Sequence, residues 1–149
     1  MKIILAVDDV RSAGIASQAL IAQFKTGNTE VRLVHAIEPY PVDLAEQMGG
    51  KEFPDFLNAR ARQRERLQKA FAATCDQLRS AGFQVDSTCH DGDPRDVILD
   101  CAREWHADLI VLCAHSRKGI ERFLLGSVSE AVARHAHCSV EIIRMPSGQ

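Results

Sequence analysis

A Gly126-Ser127 pair stands directly before an amphipathic segment, and Arg117-Lys118 lies in the polar stretch ahead of it. Backbone N–H groups at a helix start are unpaired and carry partial positive charge. Glycine lets an anion approach them, serine adds a hydroxyl donor, and the two cations add charge. These residue types in this order suit a phosphate-bearing ligand, and equally a capped helix after a polar loop. Two carboxylates, Asp8 and Asp9, close the first apolar run. Cys113 stands near His115, Arg117 and Lys118, and neighbouring cations make a thiol more reactive, whereas a thiol turned into the core is inert. His135-Ala136-His137-Cys138 carries metal-ligand residue types. However, His135 is expected on the apolar face of a helix and Cys138 in a strand, so no converging zinc set is expected. Cys89-His90, at a strand end beside a turn, reads as structural.

The chain that positions these groups has 149 residues, the size of one domain over 1–149. Hydrophobic residues make up 46% and charged ones 26%, which excludes a disordered or collagen-like chain. Eighteen basic against twenty acidic residues leave a net charge of −2, too little positive charge for a general nucleic-acid binder. The longest apolar stretch, Leu109 to Ala114, falls far short of the ~20 residues a bilayer demands. The first apolar run stops at Asp8-Asp9, too early for a signal-peptide core. A cytoplasmic protein is expected, with its five cysteines as free, mostly buried thiols and no C-x-x-C pair.

Apolar spacing predicts alternating elements. Lys2 to Val7 reads as a strand covered on both faces. Ser12 is placed to cap a helix bearing Ala13, Ala16, Leu20 and Phe24, which Gly27-Asn28 stops. Val31 to Ile37 reads as a second strand. Pro39 to Pro54, with three prolines and Gly49-Gly50, reads as an irregular loop. Asp55 to Ala81 has helical spacing, closed by Gly82. Its Arg60, Arg62, Arg64, Arg66 and Lys69 read as a solvated surface. Phe83 to Cys89 reads as a third strand with one side less buried. Asp93 and Pro94 start a helix through Val97, Ile98, Cys101, Ala102 and Trp105. Leu109 to Ala114 is the most apolar strand. Ser127 and Glu130 have capping-box spacing, ahead of Val128, Ala131, Val132 and His135 on one face. Ser139 to Met145 is the last strand. Five strands alternating with four helices predict an open parallel α/β sheet with helices on both faces. Ligands of such sheets bind beyond the carboxyl ends of the strands, where strand order reverses. That points to Asp8 and Asp9 and to Cys113 through Ser129.

The stretch Asp108-Leu109-Ile110-Val111-Leu112, His115, and then Arg117 through Leu125 to Gly126-Ser127-Val128-Ser129-Glu130 resembles the signature of the universal stress proteins. Ala6-Val7-Asp8, His35, Gly92-Asp93-Pro94 and Arg134-His135-Ala136 with Cys138 agree with it. The resemblance runs from residue 2 to about residue 144. It implies strand order 3-2-1-4-5 and a homodimer paired through the last strand, Val140 to Ile143. Some members bind ATP through Gly, two residues, Gly, nine residues, then Gly followed by Ser or Thr. Gly126-Ser127 match the final pair; Cys113 and Ser116 stand where the earlier glycines would be.

By that resemblance Ala6, Val7 and Ala36 line an adenine slot and Asp8 sits by the adenine or ribose. Cys113, His115, Ser116 and Arg117 belong to the nucleotide loop, and Val128 and Ser129 follow Gly126-Ser127 along the phosphates. A cysteine at 113 adds a Cβ and a sulfur, and a serine at 116 loses glycine's freedom, at a cost of about 1 kcal/mol if left-handed backbone is required. The expectation is a dimeric stress-response protein that binds ATP, with Mg²⁺, as a regulatory ligand. The alternatives are a nucleotide-free interaction protein whose ribose site Cys113 and Ser116 close, and a weak ATPase. No metal site and no membrane contact are expected.

Overall fold

Ile3, Ile4 and Leu5 are fully buried, because β1 (Lys2–Ala6) runs down the middle of the sheet and is covered on both faces. In chain order there follow α1 (Val10–Gln23), β2 (Glu30–Ile37), α2 (Phe53–Ser80), β3 (Gln84–Asp91), α3 (Pro94–Glu104), β4 (Leu109–Ala114), α4 (Ser127–His135) and β5 (Ser139–Arg144). These elements come from a computed structural model, which describes residues 1–39, 43, 47–48, 50, 52–114 and 125–145. The sheet order is β3-β2-β1-β4-β5 and every pairing is parallel. Sheet class and strand order are therefore those expected.

Alternation along the strands builds two cores. Ile3, Leu5, Leu33 and Val111 pack toward α1 and α2, meeting Ala16, Leu20, Phe71 and Leu78. Ile4, Ala6, Val34, Ile110 and Leu112 pack toward α3 and α4, meeting Ile98, Ala102 and Val132. Ala13 and Ala16 on α1 are fully buried, so small side chains bring that helix close to the sheet.

The helix starts show how local sequence sets the frame, and they correct two expectations. At α1 the cap is Asp9, not Ser12. Asp9 accepts from the Ser12 backbone N–H at 2.7 Å, and the Ser12 hydroxyl accepts from the Asp9 N–H at 3.2 Å. Ser12 is the reciprocal partner of the box, because the chain turns helical as soon as it leaves β1. At α4 the helix begins at Ser127 with Gly126 as its cap, and no side chain caps it. The expected capping box therefore does not form: Ser127 is already helical, and Glu130 pairs with Arg134 at 2.8 Å. His135 is exposed rather than on the packed face, which is carried by Ser129 and Val132. At α3 the expected cap holds, with Asp93 accepting from Arg95 N–H at 2.8 Å ahead of Pro94.

Boundaries shift elsewhere by a few residues. β1 stops at Ala6, α1 stops at Gln23 before Gly27-Asn28, and β3 runs on to Asp91, paired with Ile37 of β2. α2 starts at Phe53, with Pro54 in its first turn. Most of the loop expected over Pro39 to Pro54 lies outside the described residues. Basic α2 is not uniformly solvated. Arg60 and Arg64, one helical turn apart and so on one face, reach the ends of neighbouring strands. Arg60 donates to the Glu38 carbonyl at 2.9 Å, and Arg64 lies 3.3 Å from an Asp91 carboxylate oxygen.

Gly82 ends the turn after α2 at φ +101°, and a Cβ there would lie 3.1 Å from Thr26 Oγ1. Left-handed backbone penalises any L side chain, and Thr26 would have to move as well. Gly82→Ala should therefore lower stability by about 1–2 kcal/mol and the melting temperature by roughly 2–8 °C, read by thermal denaturation.

Candidate functional site

The chain winds from β1 outward through β2 to β3, then crosses back to β4 on the other side of β1. Helices on either side of this reversal diverge to opposite faces, leaving a cleft at the carboxyl ends of the strands. That cleft has a volume of about 280 Å³. β1 contributes Ala6, followed by Val7 and Asp8; β2 contributes Val34 and Ala36, followed by Glu38; β4 contributes Leu112 and Cys113. The start of α4 supplies Gly126, Ser127, Val128 and Ser129, and α3 supplies Pro94 and Ile98.

Nine of the expected residues thus meet around one cleft: Ala6, Val7, Asp8, Ala36, Cys113, Gly126, Ser127, Val128 and Ser129. His115, Ser116 and Arg117 lie outside the described residues, as does Lys118. Sequence reasoning missed Val34, Leu112, Glu38, Pro94 and Ile98. The signals were present. Val34 shares a strand face with Ala36, and Ala6 is in register with Val34 on one side and Leu112 on the other. Pro94 starts a helix that follows a strand, so a parallel fold brings that start to the same end of the sheet.

Asp8 and Glu38 are the charged groups among the described lining residues. Asp8 is positioned by the first turn of α1: the Ser12 hydroxyl lies 2.7 Å from Asp8 Oδ1 and 2.9 Å from the Asp9 carbonyl. One hydroxyl proton serves one acceptor at a time, and the shorter contact is to the carboxylate. Asp8 is therefore both a strand-end carboxylate tied to Ser12 and a wall of the cleft.

Gly126 has φ −63° and ψ 160°, a backbone open to any residue. A Cβ on it would meet nothing nearer than Ser129 Oγ at 4.0 Å. Nothing among the described residues requires glycine there.

Cys113 is turned away from a reactive setting. Its thiol donates to the Ser12 carbonyl at 3.5 Å and packs against the core on the α1 side. Burial, and then the Asp8 and Asp9 carboxylates, push the thiol up to about 11. Elsewhere, His135 is exposed and Cys138 packs against the second core. Among the described residues no group of three His, Cys, Asp or Glu side chains is placed to hold a metal ion.

The fold is that of an open parallel α/β protein with a cleft at its switch point. A sequence model of the Universal stress protein family matches residues 1–144, and the chain belongs to that family. A universal stress protein of Methanocaldococcus jannaschii is 27% identical over 97% of this chain and 82% of its own length. One from Thermus aquaticus is 31% identical over 95% of this chain and 97% of its own. Among solved structures, a family protein from Arabidopsis thaliana with AMP bound superposes with TM-score 0.67 at 19% identity, covering 99% of this chain and 93% of that one. A universal stress protein in complex with cAMP superposes with TM-score 0.60 at 22% identity, covering 96% and 95%. At these identities the structures establish the shared fold. No helix among the described residues is long and apolar enough to cross a membrane.

The raised Cys113 thiol gives a pH prediction. It holds its proton more tightly folded than unfolded, so folded-state stability should fall as pH rises from about 9 to about 11. Alkylation by iodoacetamide, followed by peptide mapping, should leave Cys113 unmodified at pH 8 and label it only as pH approaches 11. Rapid labelling at pH 8 would show the thiol to be exposed or activated.

Proposed function

We propose that this chain binds an adenine nucleotide, ATP with Mg²⁺, as a regulatory ligand in the switch-point cleft. The observation that carries the reading is the convergence of Asp8, Ala36, Gly126 and Ser127 around one cleft whose glycine has no role in the described fold. Ala6, Val7 and Ala36, with Val34 and Ile98, form the apolar side suited to a base. Asp8 is placed to accept from ribose hydroxyls. The start of α4 offers uncapped N–H groups and the Ser127 and Ser129 hydroxyls to phosphate oxygens, with Val128 beside them. At about 280 Å³ the cleft falls just below the ~300–1,000 Å³ typical of small-molecule sites, so in this reading the phosphates extend along its open side. Relatives of the same fold with AMP or cAMP bound support an adenine ligand.

In this reading the chain acts as a cytoplasmic homodimer. β5 is an edge strand with half-buried Val140, Ile142 and Ile143, and pairing with its twin across a two-fold axis would cover it. The second reading is a nucleotide-free interaction protein of the same fold, motivated by Cys113 and Ser116 in place of two glycines. The orientation of Cys113 weakens that objection, since its sulfur points to Ser12 rather than across the cleft.

Calorimetric titration with ATP and Mg²⁺ distinguishes them. Binding in the micromolar range is expected, weakened at least about tenfold by Gly126→Val, which places two methyl groups in the approach to α4. Absence of heat at millimolar ATP would leave the nucleotide-free reading.

A further inference from the structure

A second cavity, of about 200 Å³, lies between β2, β3 and α2, away from the cleft. It exists because β3 presents small Ser87 and Cys89 to α2 where a core strand would carry Val or Leu. Leu33, Ile37 and Phe71 form one wall. The other wall is polar. Arg64 and Cys89 line it together, and Cys89 and then the Asp91 carboxylate push the Arg64 guanidinium further toward its charged form. Its bond to Asp91 is loose, at 3.3 and 3.4 Å, and half-exposed, so the guanidinium can turn to another anion. His35 also lines the cavity and is only 7% exposed. Its Nδ1 meets the Val7 carbonyl at 2.8 Å and must donate there. In the uncharged ring Nε2 keeps its lone pair, and no hydrogen bond to it is found among the described residues. Among the described residues no fully buried side-chain nitrogen or oxygen lacks a partner, so Nε2 keeps some exposure, on a residue that lines this cavity.

We propose that Cys89 is a site of mixed-disulfide formation with small anionic thiols of the glutathione class, the cavity taking the adduct and Arg64 its carboxylate. The Cys89 thiol gives its proton to solvent and its sulfur attacks one sulfur of the low-molecular-weight disulfide. That reagent's S–S bond breaks, a new bond joins its sulfur to Cys89, and the second thiol leaves as thiolate and takes a proton. The Cys89 sulfur is oxidised and the leaving sulfur reduced, so no further oxidant is needed. The other thiols are poorer sites. Cys75 and Cys101 are buried, the Cys113 sulfur is turned to the Ser12 carbonyl, and Cys138 packs against the second core. The adduct would compete with Asp91 for Arg64 and so loosen the tie between α2 and β3. This site stands apart from the nucleotide reading and does not depend on it.

The test treats the full chain with glutathione disulfide, or with the cationic disulfide cystamine, and maps adducts by peptide mass. Cys89 should be modified ahead of Cys138, and glutathione disulfide should react about fivefold faster than cystamine. Arg64→Glu should reverse that preference while circular dichroism stays unchanged, since the side chain is half-exposed. Arg64→Gln, which keeps the length without the charge, should abolish it. Modification of Cys89 no faster than Cys138 would overturn the proposal. So would a rate at Cys89 indifferent to reagent charge in the unaltered chain.

Discussion

The structure depends on covering β1 from both sides. Its side chains are buried on alternate faces, so neither helix layer can be absent without opening the centre of the sheet to water. Parallel pairing then forces every connection to cross from one end of the sheet to the other. The helices therefore all begin at the carboxyl ends of the strands, and their unpaired N–H groups collect at one rim. The cleft is what remains where two of those connections part company around β1.

Polar groups fix what apolar burial leaves loose. Arg32 and Asp86, in register on β2 and β3, form a two-pronged pair at 2.9 and 2.7 Å. The Arg32 guanidinium lies 4.6 Å from the centre of the Trp105 ring, which Lys2 also approaches at 5.4 Å. This one aromatic ring thus joins β1, β2 and the end of α3 at the rim opposite the cleft. At the cleft rim the same task falls to Asp9, Ser12 and Arg60. His35 adds a buried tie between β2 and the residue after β1, and its ring rests 5.0 Å from Phe71 on α2.

Much of this was legible from spacing alone. The apolar runs at Ile3, Val31 and Leu109 marked the central strands because burial on both faces leaves no other composition. Gly82 and Asp93-Pro94 marked a helix end and a helix start through backbone geometry. Asp8, Cys113 and the start of α4 were legible because the switch-point rule needs only strand ends, whereas the strand order and Ala6, Val7 and Ala36 came from the resemblance to the universal stress proteins. The errors cluster where a residue has two competing roles. Ser12 and Ser127 are good caps by type, yet the chain turns helical one to three residues earlier than either. His135 was misplaced because the helical phase is set by Ser129 and Val132, and a buried serine gives no apolar signal. At Cys113 sequence left two readings open, and the inert thiol turned into the core is the one the fold realises, beside Asp8 and Asp9.

One last feature concerns α2, whose 28 residues extend about 42 Å against about 27 Å for the eight-residue strand β2 beside it. Its fully buried residues, Phe71, Thr74, Cys75 and Leu78, all lie in the second half. The first half has no buried residue of that class and is held at the sheet's rim by Arg60 on the Glu38 carbonyl and Arg64 on Asp91. The Asn58-to-Ala70 stretch is built almost wholly from Ala, Arg, Gln, Glu, Leu and Lys, the residues with the strongest intrinsic preference for helix. Its abundance of arginine thus has a mechanical reading besides an electrostatic one, as stiffness in a stretch that deep burial does little to hold.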